Sequence, residues 1–122
     1  MAVAYNKSQS DFTSLAMQTA GIATADTNLL TGTTGSVYTV GINNTANGAQ
    51  EEHMKFYDSK GPTVGTTDPV MIIRAYRGLT LIMTSKQGVA FGTSLSVAMV
   101  QEAGTAGTTA PSNSAEYAIF GS

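Results

Sequence analysis

At 122 residues with 42% hydrophobic content, the chain is one domain's worth of sequence and too apolar to belong with disordered proteins. Only 11% of its residues are charged, against about 25% in an average soluble domain, and the net charge is −2. Its six basic residues are scattered, which argues against the cationic stripe a nucleic-acid backbone requires, and the lack of cysteine excludes disulfides and thiolate metal sites.

With so few charges, the surface is built from Thr, Ser, Asn, Gln and Gly, and it repels neighbours weakly. That suits a protein packed against other proteins. The opening Met-Ala-Val-Ala-Tyr-Asn-Lys lacks the basic start and apolar run of a secretory signal. No apolar run approaches the roughly 20 residues of a membrane helix, so the expectation is a soluble protein made in a cytoplasm, with no membrane partner.

Residues 1–20 are expected to form a segment of their own ahead of a β-domain over 21–122. Phe12, Leu15 and Ala16 stand at i, i+3 and i+4, with Ser10 or Asp11 placed to cap the turn. The spacing fits a short helix and, equally, an extended arm. Val3, Tyr5, Phe12 and Leu15 are the anchors by which such an arm would dock on a neighbouring subunit.

Asn28 to Thr31 reads as a short edge strand. Ser36 to Ile42 alternates with Tyr38, Val40 and Ile42 on one face, and Gly41 marks a bulge. Asn47-Gly48 is a hairpin-turn signal, weakened by the length of its connection. Gln50 to Asp58 turns Met54 and Phe56 inward, leaving Glu51, His53, Lys55 and Tyr57 on the other face. Val70 to Tyr76 is apolar on both faces, which predicts a central strand covered on both sides. Arg77-Gly78 turns the chain into Leu79 to Thr84, and Ser85 to Gly88 turns it again into Val89 to Phe91. Ser94 to Val100 and Ala115 to Phe120 complete the set.

Seven or eight short strands with Gly, Thr, Asn and Pro turns predict an all-β protein, an antiparallel sandwich or jelly roll, with a closed barrel as the competing arrangement. The expected core is Tyr38, Val40, Ile42, Met54, Phe56, Val70, Ile72, Leu81, Met83, Phe91, Leu95, Val97, Met99, Tyr117 and Ile119. The loops echo one another: Gly65-Thr66-Thr67-Asp68-Pro69 returns as Gly107-Thr108-Thr109-Ala110-Pro111.

No motif declares a chemistry. His53 is the one histidine, and with Glu51 it supplies two metal ligands where zinc needs three or four. No nucleophile is indicated beside it. The Gly-Thr-Thr repeats are not followed by helices, so they are not phosphate loops. Asp58 and Asp68 flank a Gly/Pro loop without EF-hand spacing, and turn capping explains them more simply than calcium. The expectation is no cofactor, no metal and no enzyme. Tyr57, Tyr76 and Arg77 are candidate contact residues at the sheet ends, for a subunit or a sugar, because aromatic and Arg side chains are enriched at binding hot spots.

Val40 to Asn47, Lys55 to Asp58, Pro62 to Pro69, Gly88 to Ala98 and Gly107 to Pro111 together resemble, in order and spacing, a family of small structural proteins of tailed bacteriophages, especially those of aquatic bacteria. The resemblance spans roughly two-thirds of the chain. It implies a β-sandwich on the virion: a capsid decoration or cement protein, often trimeric, whose partners are the major capsid protein and itself. A head spike or tail-fibre module binding host glycans is the alternative it implies. The expected location is the capsid exterior, after synthesis in the host cytoplasm. No catalytic residue is implied. Glu51-Glu52-His53 and Arg74-Ala75-Tyr76-Arg77 depart from the family's plainer pattern.

Overall fold

The computed structural model describes residues 35–122, the isolated positions 25, 27 and 29, and the backbone of 14–20. Seven strands are found among them: β1 (Ser14–Ala20), β2 (Gly35–Asn43), β3 (Glu52–Asp58), β4 (Met71–Ala75), β5 (Thr80–Phe91), β6 (Leu95–Val100) and β7 (Ala115–Gly121). They form two antiparallel sheets, one ordered β1-β7-β2-β5 and the other β4-β3-β6. The described residues are all-β as expected, and among them each sheet is open-ended, without a single closed barrel. The backbone of Ser14–Ala20 is paired strand, Ser14 opposite Gly121 through Ala20 opposite Ala115, which corrects the helical alternative from Ser14 onward. The predicted arm anchors Val3, Tyr5 and Phe12 lie outside the described residues, as do most of Asn28 to Thr31. Leu29 itself donates its N–H to the Leu95 carbonyl and packs on the core.

Both sheets feed one hydrophobic cluster. Val40, Ile42, Phe91, Tyr117 and Ile119 come from the larger sheet; Met54, Phe56, Ile73, Leu95, Val97 and Met99 come from the smaller. Burying such side chains at about 25 cal/mol per Å² is the main term holding the sheets together.

The expected core fails at four positions, each for a stated reason. Tyr38 is only half-buried, and Val37 takes the inward place. The register explains it: Val37 faces Gly121 while Thr39 faces Phe120, so Tyr38 is an extra residue against β7. A bulge shifts the alternation by one and sends the next side chain to the other face. Gly41 pairs regularly with Ile82 and Ala118, so the bulge is not at the glycine. On the other side of β2, Val37 faces Val89 but Thr39 faces Thr84. Ser85 to Gly88 therefore bow out opposite Tyr38 within one continuous strand, instead of turning the chain. Gly88 has φ 77°, and a Cβ there would lie 2.9 Å from the Tyr38 ring.

Val70, Ile72 and Met83 are the other three. Val70 is 60% exposed, and β4 is an edge strand; the strand covered on both faces is β3, flanked by β4 and β6. Ile73, not Ile72, points inward. Met83 is 48% exposed and lines an apolar cavity of about 70 Å³ together with Met71, Ile73, Thr84 and Val89.

Asn47-Gly48 is no hairpin turn either. The connection crosses from one sheet to the other, and Gly48 is not among the positive-φ glycines Gly65, Gly78 and Gly88. Asn47 is buried as a brace instead. Its amide donates to Asn44 Oδ1 and to the Asn113 carbonyl, both at 2.9 Å, and its Oδ1 accepts the Asn113 N–H. The Arg77-Gly78 turn stands where expected, with Gly78 at φ 68° and its N–H on the Asn47 carbonyl.

Candidate functional site

Two surfaces stand out among the described residues: a loop-covered lysine on the smaller sheet, and an apolar flank formed by β4, β5 and the chain beside them.

Lys55 stands on the face of β3 that alternation assigns to solvent, yet it is wholly buried. The segment Gly104 to Gly107 arches over it. The ammonium donates to the carbonyls of Gly104 at 2.5 Å, Gly107 at 2.9 Å and Thr105 at 3.4 Å. Burial pulls its pKa below the usual lysine range, and the Glu102 carboxylate opposes that shift. Glu102 in turn holds the far end of the loop, accepting the hydroxyl and the N–H of Thr109. Those bonds, the hydroxyl's first, keep the Glu102 carboxyl below its ordinary value.

The two Gly-Thr-Thr repeats meet on this platform. Gly65 (φ 93°) leaves no room for a Cβ, which would come within 2.5 Å of Thr108 Cγ2. Thr105 donates its hydroxyl to Asp68 at 2.9 Å, so Asp68 caps the neighbouring loop. Tyr57, two residues along β3 from Lys55, is 0% exposed, and its hydroxyl has no hydrogen-bond partner among the described groups. Burial raises its pKa. As placed, Tyr57 is therefore a packing residue and offers nothing to an external contact or a sugar.

Asp58 is also committed within the fold. Its carboxylate accepts the N–H groups of Thr93 at 2.7 Å, Gly92 at 3.0 Å and Ser94 at 3.1 Å, pinning the β5–β6 turn. The Thr93 bond contributes most to holding its pKa low. Because the folded pKa is depressed, this stabilisation is present above the unfolded value of 3.8 and is lost as pH falls through the folded one. Asp58→Ala is expected to cost about 1–2 kcal/mol at pH 7, comparable to losing a helix cap, and the deficit should shrink in urea melts as pH falls from 3.8 through the folded pKa. No group of three or more metal-ligating side chains gathers among the described residues.

Glu52 shows the opposite behaviour. It is buried, its Oε1 accepts from Gln50 Nε2 at 2.8 Å, and its Oε2 has no partner among the described residues. Burial raises its pKa above 4.5. A carboxyl raised on folding favours the native state when protonated, so its contribution declines as pH climbs through the unfolded value toward the folded one. Glu52→Gln removes that titration. The gap in melting temperature between variant and wild type should move in the variant's favour from pH 4 to pH 7, and a gap independent of pH would refute the assignment.

The flank lies on the other side of the molecule's edge. The exposed large apolar residues among those described are Val70, Ile72, Tyr76, Leu79, Ile82 and Met83, all within one 14-residue stretch of chain. Tyr76 and Arg77, two of the predicted contact residues, are both exposed here. Leu15 lies in β1 with its backbone opposite Phe120, at the far edge of the larger sheet. Arg74 was not among the candidates. Its guanidinium sits 4.6 Å over the Tyr76 ring and pairs with Glu51, whose carboxyl is thereby held low. An Arg on an edge strand two residues before a Tyr was the available signal. His53, one strand in, donates from Nδ1 to the Gln101 carbonyl at 2.9 Å, so it and Glu51 have separate partners. A shallow groove of about 200 Å³ crosses the outer face of the larger sheet over Gly41, between Ile82 and Ala118.

No helix among the described residues is long and apolar enough to cross a membrane. No protein-family model, curated protein or solved structure matches the chain.

Proposed function

We propose that the chain is a structural protein of a tailed-bacteriophage virion, a decoration or cement subunit that links major capsid proteins from the outside of the shell. In this reading its two sheets stack as a β-sandwich, copies of the chain associate with one another, and it has no catalytic role. The observation that carries it is the flank: six large apolar side chains exposed on β4, β5 and the chain beside them, two strands that each have an unpaired edge among the described residues, in a protein with few charges to keep neighbours away. The motif resemblance supplies the particle. Cement works by multivalency, since joined capsomers must part together.

Gel densitometry of purified virions tests the proposal. A copy number comparable to that of the shell protein is expected; a handful of copies per particle would assign the chain to the tail. The glycan-binding alternative is left with Tyr76, one face of whose ring is taken by Arg74, and a glycan array is expected to give no signal above background.

A further inference from the structure

Asn47-Gly48 is the one Asn-Gly pair in the sequence, and the fold does not use it as a hairpin turn. Such a pair has a chemistry of its own. The backbone nitrogen after an asparagine can attack the side-chain carbonyl carbon, and glycine hinders that attack least because it has no Cβ. The new N–C bond closes a succinimide ring as the bond to Nδ2 breaks. The side-chain nitrogen leaves as ammonia, carrying the proton that the backbone nitrogen gives up. Water then opens the ring to aspartate, or to isoaspartate, in which the main chain runs through the former side-chain carboxyl.

The surroundings of Asn47 decide when this can happen. Ala46, Gly48 and Ala49 are exposed, so water reaches the connection, but Asn47 itself is 2% exposed. Its Nδ2 donates to Asn44 Oδ1 and to the Asn113 carbonyl, its Oδ1 accepts the Asn113 N–H, and its main-chain carbonyl accepts the Gly78 N–H. Asn44 is anchored in turn, its Nδ2 donating to the carbonyls of Ala75 and Tyr76. Ring closure expels Nδ2, so both of that nitrogen's bonds must be given up first.

We propose that Asn47 is a self-modification site held closed by the fold: the Asn44–Asn47–Asn113 brace suppresses ring closure in the folded chain, and a copy that opens there converts irreversibly. The product does not rebuild the brace. Aspartate at this position sets a carboxylate oxygen where Nδ2 stood, against two acceptors, Asn44 Oδ1 and the Asn113 carbonyl, both at 2.9 Å. It also buries a charge without a donor on that side. Turning the Asn44 amide over to supply a donor would take its Nδ2 from Ala75 and Tyr76. Isoaspartate lengthens the main chain and shifts the carbonyl that holds Gly78. A copy that has once come apart at this connection therefore stays loosened.

The test is made on the isolated full chain, with no capsid present, and so stands apart from the virion reading. The chain is held in mildly alkaline buffer, and the mass gain of amide-to-acid conversion is located by peptide mapping. Conversion at Asn47 should be at least about a hundredfold slower in the native chain than in denaturing guanidinium. The Asn113 amide bonds Asn47 Oδ1, so its hydrogen exchange reports the same opening, and its protection should match the slowing of conversion within about threefold. A Cβ at Gly48 would meet nothing within 4 Å, and its φ is not positive, so Gly48→Ala should melt like wild type. In denaturant that variant should convert about tenfold more slowly or less, because the new Cβ crowds the attacking nitrogen. Asn47→Asp, standing for the product, should melt below wild type by about 5 °C or more at neutral pH. Equal rates with and without denaturant overturn the proposal. So do native conversion that outruns exchange at Asn113, a Gly48→Ala chain that converts like wild type in denaturant, and an Asn47→Asp chain as stable as wild type.

Discussion

Lys55→Met should lower the stability of the chain by about 2–4 kcal/mol, seen as a fall of roughly 10 °C in melting temperature or as an earlier urea midpoint. Methionine keeps most of the stem's volume, so the loss is not a packing defect. What disappears is the charged donor on which the carbonyls of Gly104, Thr105 and Gly107 converge. Those oxygens must then find water or remain orphaned, and an unmet buried polar group costs about 1–3 kcal/mol. Glu102 also loses the ammonium near it. The loop should loosen before the sheets do. Amide exchange at residues 103–109 is expected to accelerate in the variant while that of β3 and β6 changes less. Uniform acceleration would mean that Lys55 supports the whole sheet and not the loop.

Gly65→Ala should be nearly as damaging, at about 2–4 kcal/mol. The left-handed backbone at φ 93° costs an L-residue about 1–2 kcal/mol, and the new Cβ would meet Thr108 Cγ2 at 2.5 Å. The two contributions can be separated. Thr108→Ser deletes the obstructing methyl and leaves the backbone strain in place. The double variant Gly65→Ala/Thr108→Ser is therefore expected to recover part of the loss, with a coupling of about 1 kcal/mol in a double-mutant cycle. No coupling would show that the repeats touch without supporting each other.

Much of the fold was legible from alternation. Met54 and Phe56, then Leu95, Val97 and Met99, then Tyr117 and Ile119 face the core as their spacing implies. What misled were positions where alternation is broken or its context reversed. The bulge at Tyr38 has no composition signal, and Gly41, which has one, is regular. In β4 an apolar run on both faces implied burial on both, but β4 is an edge strand among the described residues and Ile72 is exposed on it. A single-chain pattern cannot distinguish a partner from a second layer of the same protein.

The candidate surfaces divide the same way. Tyr76 and Arg77 were legible because turns between strands stand at sheet ends, and both are exposed. The burial of Lys55 was not legible, because the cover over it comes from residues about fifty positions later in the chain. The repeated Gly-Thr-Thr was visible as an echo. That the copies pack against each other follows from the small size of Gly65 and the reach of Asp68, which spacing alone does not encode.

The stretch Ser85 to Gly88, bowed out opposite Tyr38, gives β5 a place where its length can change. The offset between its two pairings with β2 is three residues: Val37 faces Val89, whereas continuing the Thr39–Thr84 register would have it face the residue three earlier. Deleting three residues there would let both halves of β5 keep their partners on one uninterrupted ladder, and insertions would lengthen the bow without displacing Phe91 or Leu81 from the core side. Homologous chains of differing length are thus expected to differ first at this point, and a peptide tag inserted after Lys86 should be carried at the surface by a protein that still folds.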